Sequence, residues 1–173
     1  MEYFHENIRY LNLPKVPEEL ISEFVDKSNL YPEMNKEYKW TDEHNSRINQ
    51  WCQENICDNA YFGFQVIKNN LAPHKDSVVT HLGPSPLQTS SKLIYLISQG
   101  GENVMTQFWL DDKKTMIKEY KIETNRWHLL QVDAVHSVEG VDPGQTRWAI
   151  VAQMLHRFPY ERENYSDLYS SRT

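Results

Sequence analysis

From residue 60 onward the chain is a succession of short aromatic and β-branched segments separated only by turns, and that spacing leaves no room for crossover helices. Residues 61–68 (YFGFQVIK) open the run. Residues 92–98 (KLIYLIS) follow a Pro/Ser/Thr-rich stretch at 84–91, and Gly100-Gly101 makes the next turn. Residues 104–110 (VMTQFWL) alternate, and 115–122, 127–134 and 146–154 complete the set. Asp111-Asp112, Thr124-Asn125 and the loop from Gly140 to Gly144 supply the turn signals between them. Closely spaced strands without intervening helices predict an antiparallel sandwich or barrel.

Two helices are expected before the strands. Residues 17–28 (PEELISEFVDKS) start with proline and glutamates and place Leu20, Ile21, Phe24 and Val25 at helical spacing. Residues 41–56 begin with a cap at Thr41 or Asp42 and carry Ile48, Trp51, Cys52 and Ile56 on one side. Two helices followed by about eight short strands predict a mainly β fold, a double-sheet jelly roll with N-terminal α-helices packed on one sheet. A chain of 173 residues fits one domain (1–173), with a helical layer at 1–58, a β core at 60–155 and a polar, tyrosine-rich tail at 159–173.

Composition excludes several classes. Apolar content of 39% with 24% charged residues is that of an ordinary globular protein. A net charge of -6 argues against a nucleic-acid or anionic-membrane surface. No run of about 18 apolar residues exists to span a membrane, and the N-terminus (MEYFHENIRYLNL) lacks the basic start and apolar core of a signal peptide. Cys52 and Cys57, five apart on a helix, fall on different faces and read as free thiols of a reducing, cytoplasmic environment.

One constellation carries chemistry. In His74-Lys75-Asp76 the two ligating side chains are two apart, and on an extended segment such residues share a face. Pro73 biases the chain towards extension at the start of that segment. With His136 added, two histidines and one carboxylate make the facial set that binds non-haem iron and leaves positions open for substrate and oxygen. Arg147 follows eleven residues later. The Gly140, Asp142, Pro143 and Gly144 between them suggest a hairpin that sets His136 opposite Arg147, with β-carbons about 4.5–5.5 Å apart. An arginine fork there suits one end of a short diacid.

The HxD…H…R pattern of His74, Asp76, His136 and Arg147 resembles that of the Fe(II)/2-oxoglutarate-dependent oxygenase superfamily, with a weaker likeness of residues 73–82 to aspartyl/asparaginyl β-hydroxylase-like members. The resemblance implies a cupin-like double-stranded β-helix core. It implies Fe(II) on His74, Asp76 and His136, the distal carboxylate of 2-oxoglutarate on Arg147, and O2 as co-substrate. The products would be succinate, CO2 and a hydroxylated substrate. Asp76 favours hydroxylation or demethylation, because halogenating relatives replace that carboxylate. Superfamily members use a tyrosine, lysine or asparagine near the KLIYLIS strand to assist 2-oxoglutarate, which nominates Tyr95 as a co-substrate residue and Lys92 as a pocket residue. His81, just after the metal segment, is a pocket candidate, as are Gln107 and Trp109, which share a face, and Gln153, which shares the parity of Arg147. Core packing is the ordinary role for each of these. His128 lies eight residues before His136, about 27 Å on a straight strand, which assigns it a structural role. Two rival readings stand beside this one: a cupin-like metalloenzyme that does not use 2-oxoglutarate, and a non-catalytic ligand-binding jelly roll. The substrate (a protein side chain, an amino acid or a small metabolite) is not encoded in the motif; loops at 30–40 and 82–91 and the tail are where selection is expected.

Overall fold

The computed structural model describes residues 7–28, 36–38, 47–58, 60–76 and 91–154. Their elements run β1 (Ile8–Tyr10), α1 (Glu18–Ser28), β2 (Lys36–Tyr38), α2 (Arg47–Asn55), β3 (Ala60–Ile67), β4 (Leu71–His74), β5 (Ser91–Gln99), β6 (Met105–Trp109), β7 (Met116–Tyr120), β8 (Trp127–Gln131), β9 (His136–Glu139) and β10 (Arg147–Met154). The cap at Thr41 or Asp42, His81 and its loop, and the polar tail lie outside the described residues.

The strands form two sheets, β1-β8-β5-β10-β3-β2 and β4-β9-β6-β7. From β3 onward the antiparallel pairing is nested: β3 with β10, β4 with β9, β5 with β8, and β6 with β7. A nested set of this kind is one long eight-stranded hairpin. Further pairings of β10 with β5 and of β9 with β6 roll it up, so that successive pairs fall in opposite sheets. This is the double-stranded β-helix, a cupin-like jelly roll, as the strand spacing predicts.

Side-chain alternation then divides the six-stranded sheet into two faces. One face meets the helices. Phe62, Phe64 and Val66 of β3, Leu93 and Tyr95 of β5, Trp127 and Leu129 of β8, and Trp148, Ile150 and Ala152 of β10 join Leu20 of α1 and Ile48 and Cys52 of α2 in one apolar cluster. Two buried polar groups on this side are satisfied internally. The Trp127 indole N–H donates to the Pro14 carbonyl (2.9 Å). The Asn49 side-chain oxygen of α2 accepts from the Phe62 amide (2.9 Å). Cys52 and Cys57 are free and buried, as their spacing suggests.

The other face looks toward the four-stranded sheet and carries the intervening residues, among them Gln65, Lys92, Ile94, Leu96, His128, Leu130, Arg147 and Ala149. Burial on both faces explains why these strands read as nearly continuous apolar runs.

The expected hairpin between His136 and Arg147 does not form. β9 belongs to the four-stranded sheet and β10 to the six-stranded one, so the Gly140–Gly144 loop carries the chain from one sheet to the other. Turn residues such as Gly, Asp and Pro serve a crossover as well as a hairpin. The expected strand 127–134 likewise stops at Gln131, and the chain bends before resuming as β9.

Candidate metal centre

The last residue of β4 is His74, whose register partner on β9 is His136. Pro73 and His74 thus close the strand, where the sequence suggested that they open it. The two imidazole rings sit 4.6 Å apart. Just past β4, the Asp76 amide donates to the Val132 carbonyl (3.0 Å), which fastens the HxD segment to the bend after β8. Asp76 is thereby brought beside both histidines. His74 Nε2 lies 3.1 Å and His136 Nε2 3.7 Å from Asp76 Oδ1. One ligand atom from each of the three residues falls within 4.8 Å of the others.

The donor set is prepared for a metal. His74 Nδ1 is 2.7 Å from the Ala72 carbonyl and His136 Nδ1 is 2.9 Å from the Ala134 carbonyl. A carbonyl can only accept, so each Nδ1 carries a hydrogen and each Nε2 is the nitrogen available to a metal. Two imidazoles and a carboxylate, without a thiolate, suit divalent iron, manganese or similar ions and leave open positions.

Electrostatics at the three residues differ. The hydrogen bond to Asp76 raises the His74 pKa, whereas burial lowers that of His136. Burial would raise the Asp76 carboxyl, but the hydrogen bond from His74 and the charge of Lys92 outweigh it and hold Asp76 well below the usual carboxylate range. Asp76 is therefore an anion, with Oδ1 turned to the two imidazoles and Oδ2 to Lys92.

Arg147 lines the same cavity from the opposite sheet. It is 7% exposed. Its Nη1 donates to Gln99 Oε1 (3.0 Å) and its Nη2 to Thr106 Oγ1 (3.3 Å), and Gln99 is fixed in turn by donating to the Ile122 carbonyl. Both acceptors are neutral. Among the described residues no carboxylate pairs with this guanidinium, and burial lowers its pKa to about 10. A buried, uncompensated cation is costly unless something anionic joins it. Gly100 keeps the backbone in place: at φ +78 it is in the left-handed region, and a β-carbon there would stand 2.8 Å from the Arg147 backbone nitrogen.

The other nominated residues divide. Lys92 does line the cavity, with its Nζ 2.8 Å from Asp76 Oδ2. Tyr95 does not. It has the opposite parity, lies in the helix-facing cluster and packs 5.0 Å from the Trp127 ring. Gln107 and Trp109 are also displaced. They occupy the outer face of the four-stranded sheet, where the Trp109 indole donates to Ser137 (2.9 Å) and Gln107 donates to the exposed Glu119 (3.3 Å). Their neighbours on β6 face inward instead: Thr106 holds Arg147, and Phe108 stands 6.1 Å from the His136 ring. Gln153 is in the β10 ladder opposite Tyr61, with its side chain outside the described residues. His81 lies outside them altogether.

Several pocket residues escaped the sequence reading, His128 and Thr106 among them. His128, assigned a structural role on a straight-strand argument, lines the cavity and is 2% exposed. The bend after Gln131 removes the premise of that argument. Burial, with the charge of Arg147 adding to it, lowers the His128 pKa to about 4, so the ring is neutral near pH 7. The parity that His128 shares with Leu130 was the available signal.

The sequence matches no family model and no curated protein sequence. Among solved structures, it is similar to a cupin-2 domain containing protein from Shewanella frigidimarina NCIMB 400, at 6% identity and a TM-score of 0.41, over 78% of this chain and 98% of that one. It is also similar to the non-heme alpha ketoglutarate dependent epimerase SnoN from nogalamycin biosynthesis, at 10% identity and a TM-score of 0.46, over 87% of this chain and 78% of that one. The strand pairings define the architecture independently of both. The chain is a cupin-like jelly roll with a His/Asp/His cluster able to hold a metal. No helix among the described residues is long and apolar enough to cross a membrane.

Proposed function

We propose that this protein is an Fe(II)- and 2-oxoglutarate-dependent oxygenase that hydroxylates an organic substrate. The observation that carries the reading is Arg147: a buried guanidinium whose partners among the described residues are neutral, in the same cavity as three metal-ligand side chains. A monoanion would satisfy the arginine, and a metal alone would satisfy the triad. A short diacid with a 2-keto group satisfies both at once.

Fe(II), when bound, supplies the oxygen chemistry in which 2-oxoglutarate and O2 are consumed, succinate and CO2 are released, and one oxygen atom enters a substrate C–H bond. The chain's own residues do the rest. His74 and His136 offer Nε2 atoms whose orientation the Ala72 and Ala134 carbonyls set. Asp76 contributes the one negative charge. Arg147, braced by Gln99 and Thr106, receives the distal carboxylate through its planar fork. Ile94, Leu96, Ile122, Leu130 and Val138 line the cavity between the sheets and exclude water, which strengthens each charge interaction there.

Incubation with Fe(II), ascorbate and 2-oxoglutarate in air, followed by mass spectrometry, tests the reading. Succinate formed by the wild type and absent with Asp76→Ala is the expected result. A protein that binds Fe(II) yet neither binds nor consumes 2-oxoglutarate would contradict it and favour a cupin-like metalloenzyme acting directly on its substrate.

A further inference from the structure

The Asp76 carboxylate is engaged asymmetrically. Its Oδ1 faces both imidazoles, 3.1 Å from His74 Nε2 and 3.7 Å from His136 Nε2. Its Oδ2 lies 2.8 Å from Lys92 Nζ. The side chains of Lys92 and Asp76 are only 17% and 19% exposed, so this is a sheltered, charge-assisted contact. It also spans the molecule. Lys92 rises from β5 of the six-stranded sheet, where parity aligns it with Ile94 and Leu96, and it meets the segment that follows β4 of the other sheet.

A carboxylate can bind a metal through one oxygen or through both. If both bind, one coordination position is lost, and a site that must admit a chelating keto acid and then O2 has none to spare. We infer that Lys92 is a positioning residue that occupies Asp76 Oδ2 and so confines the carboxylate to single-oxygen ligation, keeping the remaining metal positions open. The inference rests on the oxygenase reading, and it concerns a residue that touches a ligand and not the reacting atoms. An alternative role, direct contact between Lys92 and the co-substrate, makes a different prediction: it would leave the ligation of the metal unchanged.

Mn(II) is a suitable probe, because metal-bound water can be counted by electron spin echo modulation in deuterated buffer without turnover. Lys92→Met retains the apolar stem and removes the ammonium. With Mn(II) alone, this variant is expected to hold one fewer metal-bound water than the wild type and to bind the ion more tightly, since a competing cation is gone. Lys92→Arg is expected to restore the wild-type water count. Equal water counts in wild type and Lys92→Met would overturn the inference, whatever the change in 2-oxoglutarate affinity. Arg147→Ala serves as the control: its water count should match the wild type while its 2-oxoglutarate binding is weakened. A wild type that binds no Mn(II), or that binds it but not 2-oxoglutarate, would defeat the oxygenase reading itself, a result distinct from an unchanged count in Lys92→Met.

Discussion

The two faces of the six-stranded sheet are built from alternate residues of the same strands, yet they meet opposite demands. Along β5, Leu93 and Tyr95 point to the helices while Lys92, Ile94 and Leu96 point to the cavity. Along β8, Trp127 and Leu129 are set against His128 and Leu130, and along β10, Trp148 and Ile150 against Arg147 and Ala149. The helix face is apolar, and its two buried polar groups described above find partners inside the fold. The cavity face buries a guanidinium with neutral partners and a histidine held neutral by its surroundings. Burial without full compensation costs free energy. The helix face is one apolar layer, whereas the cavity face sets its own apolar cluster, Ile94, Leu96 and Ala149 among it, beside groups ready for a ligand.

Substitutions on each face should sharpen that division. The largest effect is expected from Asp76→Ala, which removes the only anionic ligand. Removal of a mere supporting group costs about 10–100-fold in metal affinity, so loss of the ligand should cost on the order of 1000-fold, with a modest fall in melting temperature from the lost Lys92 contact. Mn(II) titration and calorimetry measure the two. Tyr95→Ala should behave in the reverse manner. Emptying the space beside Trp127 should cost about 3–5 kcal/mol in denaturant unfolding, while the 2-oxoglutarate affinity of the folded protein stays the same. A loss of co-substrate affinity in Tyr95→Phe would restore Tyr95 to the site and break the comparison.

Arg147→Ala comes next. Loss of a charge-assisted carboxylate contact should weaken 2-oxoglutarate roughly 10- to 100-fold and leave metal binding intact, as isothermal titration would show. The smallest effect concerns pH. The folded-state pKa of His128 is lowered from 6.5 to about 4. Above 6.5 the ring is neutral in both states and its contribution is complete. As pH falls from 6.5 toward 4 the unfolded chain takes up a proton that the folded one refuses, so stability declines. At pH 5 the loss is about 2 kcal/mol. His128→Phe should lose about that much less than the wild type between pH 7.5 and pH 5.

Much of the architecture and the metal cluster could be read from the chain, for local reasons. The strand spacing after residue 60 determined the jelly roll, and the HxD spacing placed His74 and Asp76 on one side. What failed was non-local. The Gly140–Gly144 segment has the residues of a hairpin, and only the nested pairing of β9 with β4 and β10 with β3 makes it a crossover. Parity in a strand buried on both faces carries no hydropathy signal, so Tyr95, Gln107 and Trp109 were nominated while Thr106 and His128, one residue out of step with Gln107 and Trp127, were not. Arg147 reaches the cavity by a different route from the expected one, across the gap between the sheets to Thr106.

The most direct test of the central claim, one metal and one diacid sharing the cavity between the sheets, is an anaerobic visible titration. Fe(II) is added to the metal-free protein, then 2-oxoglutarate, with Arg147→Ala alongside. The account expects a weak charge-transfer band that requires both additions and needs a higher 2-oxoglutarate concentration in the variant. The same band at the same concentration in Arg147→Ala, or no band despite tight Fe(II) binding, would contradict it.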